Sequence, residues 1–110
     1  MTPDQRVLSL LGLAHKSGKT VCGDFTAERY LQRKTVPVLF LASDCGADND
    51  KKYRTLAQRK DIPVIDRYTK EQLGEAVGKM RHVIILITDR GFAKSIYKVL
   101  CSMKEDEGGN

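Results

Sequence analysis

Two short apolar runs constrain this chain more than any other feature. Pro37-Val38-Leu39-Phe40-Leu41-Ala42 and His82-Val83-Ile84-Ile85-Leu86-Ile87-Thr88 are each of strand length, and neither alternates apolar with polar residues. A strand that is apolar on both faces needs cover on both faces, so helices are required on each side of a sheet. The second run is the richer in β-branched side chains, which suit a pleated surface. With 110 residues the chain can cover such a sheet once, around one core, with little length left for a second domain.

The flanking segments supply the cover. Pro3-Asp4 opens a stretch with Val7, Leu10, Leu11 and Ala14 at helical spacing, and both proline and an acid suit a helix start. His15-Lys16-Ser17-Gly18-Lys19 interrupts it, and Thr20-Val21-Cys22 reads as a short strand. Gly23-Asp24 marks the next turn, with Asp24 placed to cap a helix running to about Lys34. Asn49 to Lys60 reads as a helix. Ile62-Pro63-Val64-Ile65 reads as a short strand whose proline puts it at an edge or in the first position. Thr69 is the expected N-cap of a helix ending before Gly78, with Gln72 placed to complete a capping box. A last helix runs from about Arg90 to Met103. The order α-β-α-β-α-β-α-β-α predicts an α/β fold, a three-layer αβα sandwich with a four-stranded mixed, mostly parallel sheet. Residues 1–103 make the single domain, and residues 104–110, with three acids against one base, make a flexible acidic tail.

Composition narrows the function classes. No apolar run approaches the roughly eighteen residues of a membrane helix. The opening Met1-Thr2-Pro3-Asp4-Gln5-Arg6 does not resemble a secretory signal, so a cytoplasmic address is expected. Cys22, Cys45 and Cys101 are odd in number and far apart, as reduced thiols are. His15 and His82 stand in no ligand spacing with them, so no metal is expected. The formal charge is +5, and without the last seven residues 18 bases face 11 acids. That balance favours a polyanionic partner, nucleic acid before membrane.

No segment makes an enzyme. Gly12-Leu13-Ala14-His15-Lys16-Ser17-Gly18-Lys19-Thr20 looks like a phosphate-binding loop, yet five residues separate its glycines where the pattern needs four. It also leaves a helix and enters a strand, the reverse of the arrangement that aims helix N–H groups at phosphate. Cys45 follows a strand, but Asp44 beside it raises a thiol pKa rather than activating it. Asp89 after the last strand suits a helix cap. No catalytic residue and no cofactor is expected.

The cations of the second helix are better organised. Arg29 and Arg33 stand four apart and share a face, with Gln32 and Phe25 near the same stripe. The helix start at Gly23-Asp24 adds backbone donors and a partial positive charge, and Lys16 and Lys19 in the preceding loop are placed to extend the patch. Phe25 suits either that surface or the core.

Together these segments resemble the kink-turn-binding ribosomal-protein superfamily, in particular its small bacterial YlxQ-like members and its large-subunit proteins. The residues that carry the resemblance are Leu10-Leu11-Gly12-Leu13-Ala14 with Ser17-Gly18-Lys19, then Val21-Cys22-Gly23 and Leu41-Ala42-Ser43-Asp44-Cys45. Ile62-Pro63-Val64 and Leu73-Gly74-Glu75-Ala76-Val77-Gly78-Lys79 complete them. The resemblance implies a non-catalytic, ribosomal-type protein that binds structured RNA, a kink-turn or similar internal loop in ribosomal or other non-coding RNA; the oligomeric state is open, with a monomer as the default. It places the RNA surface at Gly23, Asp24, Phe25, Thr26 and Arg29, with Asp44 and the loop Lys79-Met80-Arg81. Lys19 and Arg33 extend it. Archaeal members carry Asn-Glu at Phe25-Thr26 and lysine at Arg29, so Arg29 keeps the charge while Thr26 offers no carboxylate to a guanine edge. The alternative is a protein-interaction module of the same fold that has lost specific RNA binding.

Overall fold

The computed structural model describes residues 1–78 and 81–108, the last five by their backbone alone. Its elements follow in the order α1 (Pro3–Lys16), β1 (Thr20–Cys22), α2 (Asp24–Arg33), β2 (Val38–Leu41), α3 (Ala47–Arg59), β3 (Val64–Ile65), α4 (Lys70–Ala76), β4 (Ile84–Ile87) and α5 (Arg90–Gly108). Both apolar runs became strands buried along their whole length. Val38, Phe40, Ile85 and Ile87 face one layer, against Val7, Leu11, Leu73 and Ile96 of α1, α4 and α5. Leu39, Leu41, Ile84 and Leu86 face the other, against Ala27, Leu31, Tyr53 and Ala57 of α2 and α3. The two-sided cover demanded by the runs is therefore present, as a three-layer sandwich.

The sheet is mixed, but not mostly parallel. Its order is β1-β4-β2-β3. β4 pairs antiparallel with both β1 and β2, and only β2 and β3 run parallel. The reason lies in α4. A parallel neighbour requires the connecting helix to carry the chain back to the starting end of the sheet. The seven-residue α4 rises only ~10 Å, and His82 N–H donates to the carbonyl of Lys70, the first residue of α4, at 3.1 Å. β4 therefore starts at the end where β3 finished.

Local chemistry explains several helix ends. Thr69 and Gln72 form the expected capping box, and Thr2 forms another with Gln5 at the head of α1. α1 closes with a Schellman pair, in which Gly18 N–H donates to His15 O at 3.0 Å and Lys19 N–H to Ala14 O at 2.8 Å. A side chain at Gly12 would put Cβ 2.6 Å from the carbonyl oxygen of Ala76, so this glycine lets α1 lie directly on α4. The glycines of the apparent phosphate loop thus serve packing and a helix end. Asp24 is not a cap: the N-cap is Gly23, and Asp24 is the first helical residue. α5 continues through Gly108, past residue 104, where a tail was expected to begin.

Candidate nucleic-acid interface

Strand directions decide which loops meet. β1, β2 and β3 run the same way and β4 runs opposite, so the turns after the first three and the segment entering β4 share one end of the sheet. Because β4 lies next to β1, with Cys22 opposite Ile85, the chain entering β4 at Arg81–Val83 passes beside the start of α2. Ala42 N–H donates to Val83 O at 2.8 Å, which brings the end of β2 to the same place.

At this end Gly23 takes φ +96 and ψ 141 and starts α2 with no side-chain cap. Few side chains adopt that backbone, and glycine permits it without strain. The first N–H groups of α2, at the positive end of the helix dipole, thus have no capping side chain among the described residues. The turn is braced from α3. Tyr53 donates its hydroxyl to the Asp24 carbonyl at 2.8 Å and closely to the Asp24 carboxylate. Lys52 bridges Asp24 at 3.0 Å and Glu28 at 2.8 Å. The Tyr53 bond first, then Lys52, holds the Asp24 carboxyl below its ordinary pKa, while burial and the same bond push the Tyr53 hydroxyl well above the usual phenol range. Asp24 is therefore charged and spoken for, and it shapes the turn.

The outer side of α2 is arranged differently. Phe25 is 74% exposed, which settles its placement on the surface and not in the core. The Arg29 guanidinium lies 5.6 Å from the Phe25 ring centre, an attractive cation–π arrangement. Phe25, Thr26, Arg29, Tyr30, Arg33 and Lys34 line one open groove of about 360 Å³. Neither Arg29 nor Arg33 has a carboxylate partner among the described residues. Tyr30 and Lys34 extend the patch, with the Lys34 amine 5.8 Å from the Tyr30 ring centre. Their four-residue offset was readable beside Arg29 and Arg33.

Other expected site residues are placed less favourably. Asp44 stands at the shared end, but its carboxylate accepts from Lys70 N–H at 2.8 Å and so secures the start of α4. Arg81 is at the shared end and exposed, 3.5 Å from Glu71. Lys79 and Met80 lie outside the described residues. Lys19 is not beside the α2 turn: it precedes β1, at the opposite end of the sheet, with its carbonyl bonded to Thr88 N–H, ~13 Å from Gly23 at strand rise. Cys45 is half-buried, and burial first, then Asp50 and to a lesser degree Asp44, raises its thiol pKa, the direction opposite to activation. No group of three metal-binding side chains comes together among the described residues, and no helix there is long and apolar enough to cross a membrane.

Residues 5–97 match the family described as ribosomal protein L7Ae/L30e/S12e/Gadd45. The chain belongs to this family. Its relatives include the RNA-binding protein YlxQ of Enterococcus faecium, 24% identical over 96 residues that span 87% of this chain and 92% of the relative. The RNA-binding protein YlxQ of Bacillus subtilis (strain 168) is 26% identical over 91 residues, 83% of this chain and 91% of the relative. Among solved structures, a Bacillus halodurans C protein of unknown function superposes with a TM-score of 0.79 at 31% identity, covering 84% of this chain and 94% of its own. A Giardia lamblia 15.5kD RNA binding protein superposes with a TM-score of 0.72 at 15% identity, over 93% of this chain and 88% of its own, a likeness of fold alone. This L7Ae-family member thus carries the family's αβα frame with its own residues, Phe25, Thr26 and Arg29, at the head of α2.

Proposed function

We propose that this protein is a non-catalytic RNA-binding protein that holds a kink-turn or similar internal loop, in ribosomal or another non-coding RNA, as a single chain. The carrying observation is the head of α2, where uncapped backbone donors adjoin an exposed aromatic ring and two arginines with no carboxylate partner among the described residues. An internal loop offers what such a surface can hold: splayed bases to stack on Phe25, base edges within reach of Thr26 and the N–H groups, and a bent phosphate backbone for Arg29 and Arg33. Arg29 can grip phosphate through two N–H groups at once. The names of both YlxQ relatives agree with this reading. Asp24 and Asp44, already bonded within the protein, orient the surface without touching the RNA.

The test is titration into a labelled kink-turn RNA and into a control with its G·A pairs replaced, at two salt concentrations. Tight binding that the control loses supports motif recognition. Equal binding to both RNAs, falling steeply with salt, reduces the site to a basic patch. The exposure of Phe25 favours one second reading, a protein-docking surface on the same fold. A partner captured from lysate that survives RNase treatment would support it.

A further inference from the structure

A second cationic face lies away from the α2 turn and has no part in the reading above. It begins with Lys19 at the far end of the sheet, where the bond between its carbonyl and Thr88 N–H sets it beside the start of α5. From there Arg90, Lys94 and Lys98 follow at four-residue spacing along the exposed side of α5, ~12 Å of rise on one stripe. α1 and α5 lie side by side, and Arg6 joins Lys98 in the groove between them. None of these five cations is in a salt bridge among the described residues. Between Arg90 and Met103 the sequence has no Asp or Glu. Asp89, next in the chain, turns its carboxylate back to accept from Phe92 N–H at 2.9 Å.

Folding does not call for this arrangement. A cation in the first turn of a helix opposes the helix dipole, and α5 has Arg90 there and no acid. Nor does the face look like a protein-docking surface, which relies on aromatic or aliphatic anchors. Of the exposed large apolar side chains among the described residues, Met1, Leu13 and Phe25, none is on α5 and Met1 alone reaches the groove beside Lys98. Point charges spaced along a rod, with Ser95 and Ser102 beside them, suit a partner recognised by charge alone.

We propose that this face is a second RNA contact, which holds the phosphate backbone of a duplex extending beyond the motif bound at α2. The class of partner rests on the function proposed above, whereas the face itself owes nothing to the α2 turn. Three RNAs separate the two claims: a plain duplex without an internal loop, a kink-turn with short stems, and the same kink-turn with one stem long enough to run the 40 Å long axis of the protein. The variant is R90E/K94E/K98E, compared with wild type and with R29A. The triple variant is expected to keep its affinity for the short-stemmed RNA. It is expected to lose binding to the plain duplex and to lose whatever the longer stem adds. Its salt slope on the long-stemmed RNA should fall by about two to three, at roughly 0.9 per phosphate contact. Its melting temperature should hold, since Arg90→Glu places an acid where the helix dipole favours one. Unchanged affinity and slope on the plain and long-stemmed RNAs would overturn the proposal and leave the face to an acidic protein. R29A should weaken both kink-turn RNAs and spare the plain duplex. If it weakens neither, the α2 reading fails, while the plain-duplex arm still decides this one.

Discussion

α2 and α3 begin in the same way and end up with opposite surfaces. Each starts at a glycine, Gly23 with φ +96 and Gly46 with φ +92, and neither N-terminus has a side-chain cap. Each follows a strand at the same end of the sheet. On α3 the first turn carries Asp48 and Asp50, Lys52 is clamped between Asp24 and Glu28, and Arg54 between Asp50 and Asp66. On α2 the acid of the first turn is consumed by Tyr53 and Lys52, and Arg29 and Arg33 have no carboxylate partner among the described residues. The two helix starts therefore share a backbone geometry and differ in how carboxylates are placed around them. The lesson is that the surroundings of a helix start decide how much cationic charge stays available beside it. Exposed pairs of this kind contribute at most about 1 kcal/mol each, so their consequence is availability of charge more than stability.

The sharpest way to break the comparison is to put alanine at both glycines. Gly23→Ala and Gly46→Ala should each cost about 1–3 kcal/mol of stability in urea titrations, from backbone strain, because neither added Cβ meets a close contact. Only Gly23→Ala should also weaken RNA binding beyond what unfolding accounts for. Equal loss of affinity in the two would mean that α3 binds RNA as well. Next comes Phe25→Ala, expected to lose roughly 1–3 kcal/mol of binding through lost stacking. The same change should leave the melting temperature alone, since the ring is already in solvent.

Smaller effects separate the two helices further. Arg29→Ala should weaken RNA binding and lower the salt slope by about one, whereas Arg54→Ala on α3 should leave both unchanged in the same titrations. The last effect concerns pH. The folded Asp24 carboxyl titrates below its unfolded value of about 3.9. Its contribution to stability is complete above that value and is lost as pH falls through the lowered one. Asp24→Asn should therefore show a shallower fall of the urea midpoint on acidification. An identical acid limb in both proteins would remove Asp24 from the brace.

Much of the frame could be read from residues alone, and for a physical reason. An apolar run that does not alternate leaves no solvent face, so the two layers of helices follow from Val38–Leu41 and Ile84–Ile87 themselves. Strand direction did not follow, because β2 and β4 have the same pattern whichever way they run. What sets the direction is the return of the chain from α4 to Lys70, a contact made by backbone groups that every residue possesses. At the site, the pairing of Arg29 with Arg33 was visible as helical spacing. The capture of Asp24 by Tyr53 was not, since the two lie 29 residues apart and nothing local links them. Lys19 looked adjacent to the α2 turn because only a three-residue strand separates them in the chain, yet an extended strand carries its two ends to opposite ends of the sheet.

The position of β4 also sets the order in which this chain can fold. It is the last strand made, yet it sits between β1 and β2 and supplies the partners of both, Thr20 with Ile87 and Val38 with Ile87. Until Ile84–Ile87 arrives, the first strand has no edge to join and both layers of helices lack half their floor. Loop closure over such separations is paid before the contacts repay it, which slows folding. A nascent chain halted between the end of α4 at Ala76 and the start of β4 at Ile84 thus holds four of the five helices and no complete sheet to lay them on.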